Sequence, residues 1–93
     1  MTTTDLKSAL GLALGEVQAD SQFDCPEITD DTIPLRDLPG FDSLSGVDTE
    51  VRLSQRLGIE ITNLPLKSPK DGHELSIAEI VSIVGDRYQL KGQ

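Results

Sequence analysis

Three runs of aliphatic residues repeat at helical spacing along this chain, and no two segments offer the alternating pattern of a strand pair. In the first run, Leu6, Leu10, Ala13, Leu14 and Val17 occupy one face of a helix. In the second, Leu44, Val47, Val51 and Leu57 share a face, with Leu53 beside it; in the third the stripe is Ile77, Ile80, Val81, Val84 and Tyr88. Helices that are apolar on one side must bury that side against one another, so the expected fold is all-α, a small bundle. With 93 residues and only Phe23, Phe41 and Tyr88 aromatic, the core has to be aliphatic and to serve a single domain, residues 1–93.

Start and stop signals divide the chain. Thr4 is the predicted N-cap of the first helix, with Asp5 at the positive end of its dipole. Gly11 and Gly15 weaken that helix by up to about 1 kcal/mol each relative to Ala, so packing has to hold it. From Asp20 to Asp42 the chain is rich in Asp, Pro and Thr and lacks periodicity. A long loop is expected there, anchored by Ile28, Ile33, Leu35 and Leu38 and closed by a Pro39-Gly40 turn. The second helix is predicted to begin at Asp42-Ser43 and to stop after about four turns, with Gly58 in the left-handed position and Ile59 as its apolar contact. Pro65 and Pro69 bar a long helix from residues 59–75, leaving room for one turn near Asn63 to Leu66. The last helix opens with a capping box, Ser76 and Glu79, and a hydrophobic staple, Leu75 and Ile80.

The net charge of -8 is unevenly spread: residues 1–50 hold eleven acids and two bases, and residues 51–93 hold five acids and six bases. An acidic half repels phosphate backbones and anionic headgroups, so neither nucleic-acid binding nor membrane insertion is expected. It favours partners with basic docking patches, although acidity also serves simply to keep a small protein in solution. Cys25 has no second cysteine to pair with, which fits a reducing compartment. No segment has the length of a membrane span, and the apolar run Ala9 to Leu14 has only Lys7 before it, a poor signal peptide. A cytoplasmic monomer is the expectation.

The segment Leu38-Pro39-Gly40-Phe41-Asp42-Ser43-Leu44 is the one that could carry chemistry. A serine just after a turn, in the first turn of a helix, sits among N–H groups without intrahelical partners and at the positive end of the dipole. A phosphodiester on Ser43 would be well placed there, and Leu44 is expected to point back into the core and anchor the helix start. Asp42 and Ser43 are both common helix caps, and residue types alone are explained by capping.

Other readings carry less. Cys25 has no basic neighbour to activate it and is expected to be a small, partly buried filler. A Ser43–His73–Asp triad lacks a Gly-x-Ser-x-Gly elbow, so the chain is not expected to be an enzyme. Cys25 and His73 lack paired metal-ligand spacing. Asp20, Asp24, Glu27, Asp30 and Asp31 miss the spacing of a calcium loop and read as a solvated acidic loop.

Asp42-Ser43-Leu44 resembles the triplet that opens the second helix of the acyl carrier protein family. Gly58-Ile59-Glu60-Ile61 resembles the way that helix ends, and Leu35-Arg36-Asp37-Leu38 the family's approach to its serine. The resemblance covers most of the chain. It implies a four-helix bundle with a long first loop and a short or irregular third helix. It also implies 4′-phosphopantetheine on Ser43, placed there from coenzyme A by a phosphopantetheinyl transferase. The arm would carry acyl groups as thioesters to acyl-transferring or condensing enzymes of a fatty-acid, polyketide or other specialised pathway. Asp42, Leu44 and Asp48 would guide docking, with Asp37 and Glu50 as further candidates. The alternatives are an aminoacyl or peptidyl carrier, and an acidic helical adaptor that bears no arm.

The chain departs from the family's housekeeping members at Ser45, where an acid is usual, at Gly46 in the helix interior and at Glu50, where an apolar residue is common. Arg52 and Arg56 add positive charge to a helix that is usually acidic, and Leu64 to Glu74 is longer and richer in proline. Those departures imply a specialised carrier with its own partners.

Overall fold

The computed structural model describes residues 2–90. The first helix, α1 (Thr3–Asp20), starts at a different cap from the predicted one. Thr2 is the N-cap: its hydroxyl accepts from the Asp5 amide at 3.2 Å, and the Asp5 carboxylate accepts from the Thr2 amide at 3.1 Å. The reciprocal pair needs the acid three positions after the cap, so Asp5 selects Thr2 over Thr4. The predicted face is buried as read, with Ala9 and Gln18 added to it.

α1 is the central element and packs on both long partners. Leu6, Leu10, Leu14 and Val17 meet Leu53, Leu75, Ile77, Ile80 and Val84 in one aliphatic core, where each buried side chain contributes roughly 1.5–3 kcal/mol. α4 (Ile77–Arg87) opens with the predicted box, the Ser76 hydroxyl accepting from the Glu79 amide and the Glu79 carboxylate from the Ser76 amide. Leu75 and Ile80 are both buried beside it.

The long loop is tied to α4 by its own backbone. Carbonyls of Thr32 and Asp30 accept from the amides of Ile77 (2.8 Å) and Ala78 (3.1 Å), filling two donors that a helix start leaves open. Lys7 pairs with Asp30. Leu38 is buried, while Ile28 and Leu35 are half-buried against the core. Ile33 serves differently, as N-cap of a one-turn helix, α2 (Pro34–Asp37), that interrupts the loop. Pro34 supplies the fixed φ of its first position, and the Asp37 carboxylate accepts from the Ile33 amide at 2.8 Å.

α3 (Ser43–Leu57) has the predicted limits, Asp42 as N-cap and Gly58 at φ 69° as C-cap, but not the predicted rotation. Leu44, Val47 and Val51 are 77%, 58% and 49% exposed; the buried face is Gly46, Thr49 and Leu53. Leu44 therefore does not anchor the helix in the core. Small residues bring α3 close to its neighbours, and the Thr49 hydroxyl is satisfied by the Ser45 carbonyl at 2.8 Å. Along the α1–α3 seam Arg52 meets Asp48, Asp20 and Glu16, and Arg56 meets Glu16. The cations that distinguish this helix are thus matched within the chain.

Residues 59–75 form no helix, and the turn considered at Asn63 to Leu66 is absent. Asn63 is at φ 54° and Pro65 follows closely, so helical continuation is blocked. Side chains from the helices hold this segment instead. Ser54 Oγ accepts from the Ile61 amide (2.8 Å), Glu50 from the Leu64 amide (2.8 Å), Arg87 Nη1 donates to the Asn63 carbonyl (2.7 Å) and the Tyr88 hydroxyl to the Glu60 carbonyl (2.9 Å). Among the described residues there is no strand; Lys67 and Glu74 form an isolated antiparallel bridge. The protein is a mostly helical, all-α globule with a radius of gyration of 12.1 Å.

Candidate functional site

The turn before Ser43 is held from three sides. Gln18, only 1% exposed near the end of α1, donates through Nε2 to the carbonyls of Pro39 (2.8 Å) and Asp24 (3.0 Å). Phe23 lies over Gly40 so closely that a Cβ there would stand 2.3 Å from its ring, and Gly40 is at φ 68°. Only glycine meets both conditions. Phe41 is buried and fixes the far side of the turn.

Asp42 then takes up the capping role. Its backbone is extended, and its carboxylate accepts from the Ser45 amide at 3.0 Å and the Ser45 hydroxyl at 3.2 Å. The Ser45 amide, chiefly, holds the Asp42 carboxyl below the usual carboxylate range. Ser43 stands at the first helical position and is exposed. Its hydroxyl makes no hydrogen bond among the described residues. Capping accounts for Asp42 and leaves the Ser43 oxygen available.

A groove of about 700 Å³ begins at Ser43. Its apolar lining comes from Leu35, Phe41, Val47, Leu64 and Leu66; Glu50, Lys67 and Glu74 add charge. Gly46 faces it directly, since a Cβ there would come within 2.6 Å of Leu66 Cδ1. The missing side chain lets the irregular segment close on α3. Glu50, whose carboxylate tethers the Leu64 amide, fixes the same wall.

Comparison with protein-family models, with curated proteins and with solved structures finds no match.

The remaining residues singled out in the sequence divide clearly. Leu44 and Asp42 flank Ser43 on the outer surface. Each acid offered for docking is engaged inside the chain: Asp48 by Arg52, Glu50 by Leu64, Asp37 by the Ile33 amide and Arg36, Asp42 by Ser45. The Ile33 amide is the main reason the Asp37 carboxyl is held below its usual range. Cys25 is exposed rather than a partly buried filler, because the loop that carries it stays on the surface. Desolvation pushes its thiol up, opposite to what an activated thiol requires. The ring of His73 lies between Asp71 (Nδ1 to Oδ1, 2.6 Å) and Glu79 (Nε2 to Oε2, 3.0 Å) and makes no contact with Ser43. Among the described residues no group of three or more His, Cys, Asp and Glu side chains is placed to hold a metal ion, and no helix is long and apolar enough to cross a membrane.

Sequence reasoning missed Gln18, Phe23 and Gly46 as parts of this site. Gln18 carried a signal, a polar residue directly after Val17 on an otherwise apolar face. Gly46 carried another, a glycine inside a helix between capping and stop signals.

Proposed function

We propose that this chain is a carrier protein of the acyl carrier type, with Ser43 as the attachment point of a phosphopantetheine arm. The observation that carries this reading is the exposed Ser43 hydroxyl at the start of α3, relieved of capping by Asp42 and standing at the mouth of an apolar groove. The four-helix bundle of that family is part of the same proposal, with the short helix here lying before the serine as α2.

Attachment requires a separate transferase. An ester bond forms between Ser43 Oγ and a phosphate of coenzyme A, the pyrophosphate linkage of the coenzyme breaks, adenosine bisphosphate leaves, and the serine proton passes to a base of the transferase. When bound, the arm supplies a terminal thiol that holds acyl groups as thioesters. Asp42 keeps the first turn of α3 closed so that Ser43 is presented at a fixed angle. The Ser43 amide and the positive end of the α3 dipole would offset the charge of a phosphodiester held there. The hydrophobic lining contributed by Val47, Leu64 and Leu66 offers a thioester-linked chain partial shelter from water.

Docking to transferring or condensing enzymes falls to the surface next to Ser43. Leu44 is the most exposed large apolar residue there, and Val47 and Val51 continue its stripe. With Asp42, Asp48, Asp37 and Glu50 already engaged, the docking face combines apolar contact with muted charge. That same stripe favours a second reading, an adaptor that uses the α3 face without an arm.

One experiment separates the two. Incubation of the purified chain with coenzyme A and a broad-specificity phosphopantetheinyl transferase is expected to add one phosphopantetheinyl group by intact mass. Ser43→Ala is expected to abolish the addition, while Ser45→Ala leaves it. If the wild-type chain stays unmodified with several transferases while an ordinary acyl carrier is converted alongside it, the adaptor reading replaces the carrier one.

A further inference from the structure

Residues 66–75 fold back on themselves as a short hairpin-like turn. The Leu75 amide donates to the Leu66 carbonyl at 2.9 Å and the Ser68 amide to the His73 carbonyl at 2.8 Å, on either side of the Lys67–Glu74 bridge. The base of this turn supplies Leu66, Lys67 and Glu74 to the groove beside Ser43. Its tip, residues 69–73, is exposed. What ties the tip to a rigid element is the side chain of His73.

Both ring nitrogens of His73 face carboxylate oxygens, Asp71 at 2.6 Å on the turn itself and Glu79 at 3.0 Å in the first turn of α4. An ionised carboxylate only accepts, so both contacts are hydrogen bonds only when both nitrogens carry protons. A neutral imidazole has one N–H and must give up one of the two. Glu79 cannot follow the ring, because its other oxygen accepts from the Ser76 amide at 3.0 Å in the capping box.

We propose that His73 is a proton-dependent clasp: as an imidazolium it fastens the 66–75 turn to α4, and loss of its proton loosens that turn and the groove wall it carries. The charged groups around the ring are few. On the turn, Asp71 favours the cation and Lys70 opposes it; from α4, Glu79 favours it, and the other α4 residues bordering the same hollow, Ser82 and Ile83, are neutral. Glu79 first and Asp71 second raise His73 above the ordinary histidine value. The two-sided clasp is therefore complete below the unfolded-state value and loses one of its two bonds as pH rises through the raised one.

The carrier reading enters only in what the groove holds. The test uses the unmodified full chain, so its failure is separate from a failure of Ser43 to accept an arm. Amide exchange at Ser68 and Leu75 is compared between wild type and His73→Gln at each pH. At acidic pH the wild type is expected to be protected roughly fivefold more, the scale of an exposed ion pair, and the ratio is expected to fall to one as His73 deprotonates. Leu66 methyl resonances are expected to shift over the same pH range, and Asp71→Asn to move that range downward. A protection ratio that does not change with pH, or Leu66 methyls that stay still while His73 titrates, overturns the clasp.

Discussion

Helices α3 and α4 both begin with a serine close to an acid, and they use the pair in opposite ways. In α4 the serine is the cap: Ser76 accepts from the Glu79 amide, Glu79 reaches back to Ser76, and loop carbonyls take the amides of Ile77 and Ala78. That helix start is sealed. In α3 the acid is the cap, so the serine falls one position later, at the first helical residue, with its hydroxyl exposed. Nothing from the loop covers it. The same residue types therefore yield a structural joint at one end of the chain's core and an accessible oxygen at another, and the order of acid and serine makes the difference.

The largest effect expected from this contrast is qualitative. Ser43→Ala is expected to remove all phosphopantetheinyl transfer without loss of fold. Ser76→Ala is expected to leave transfer intact and lower stability by about 1 kcal/mol, the usual value of a lost cap, read from urea denaturation. Transfer to Ser76, or a stability loss from Ser43→Ala as large as that from Ser76→Ala, breaks the comparison.

Next in size is Gln18→Ala. The amide of Gln18 is the buried link between α1 and the turn that presents Ser43. Its loss leaves the Pro39 and Asp24 carbonyls short of a donor and opens a void, and is expected to cost about 2 kcal/mol. Phosphopantetheinyl transfer should also slow, because the turn loses its fixed position. The start of α4 is held differently, by its Ser76–Glu79 capping box and by backbone bonds from the loop. If transfer is unchanged while stability falls, the turn is held well enough by Phe23 and Phe41 alone.

Much of this architecture was legible in the sequence. The three long helices, the Gly58 stop and the Ser76–Glu79 box followed from periodicity and capping chemistry. What escaped were features decided between segments distant in the chain. The rotation of α3 is one: Leu44, Val47 and Val51 form a good apolar stripe, and burying it assumed that a small chain leaves no such stripe outside. Tertiary packing chose Gly46 and Thr49 instead because small residues allow closer approach. Thr2 displaced Thr4 through a reciprocal bond that counting from Asp5 would have found. The path of residues 59–75 depends on Glu50, Ser54, Arg87 and Tyr88, none of which lies within it. At the site, Ser43 and Asp42 were legible, and the groove was not.

Acidity and alkalinity should separate the two helix starts in sign. At α3, Asp42 is held below its usual range, chiefly by the Ser45 amide, so its stabilisation is present above the unfolded-state value and lost as pH falls through the lower folded one. At α4, Glu79 is lowered chiefly by the Ser76 amide and behaves likewise, while His73 is raised and its stabilisation disappears as pH rises. Asn remains a good cap, so Asp42→Asn is expected to flatten the acid side of a stability profile and leave the alkaline side alone. His73→Gln is expected to flatten the alkaline side. All these groups are exposed, so the shifts in urea midpoint should be small and should shrink with added salt.

The smallest effect concerns a glycine in each helix. In α4, a Cβ on Gly85 would stand 3.2 Å from Thr3 Cγ2 at the frayable first turn of α1. In α3, a Cβ on Gly46 would meet Leu66 Cδ1 at 2.6 Å. Alanine favours either helix by up to about 1 kcal/mol over glycine, so stability alone should change by less than that once the neighbour has moved. What differs is where the movement goes. Gly85→Ala displaces a methyl at the far end of α1 and should leave the groove as it is. Gly46→Ala forces Leu66 to swing away from α3, which should shift the Leu66 methyl resonances and, on a loaded carrier, quicken thioester hydrolysis by exposing the cargo. Equal hydrolysis in the two variants would mean that the groove gives a thioester-linked chain no shelter, even if Ser43 accepts the arm.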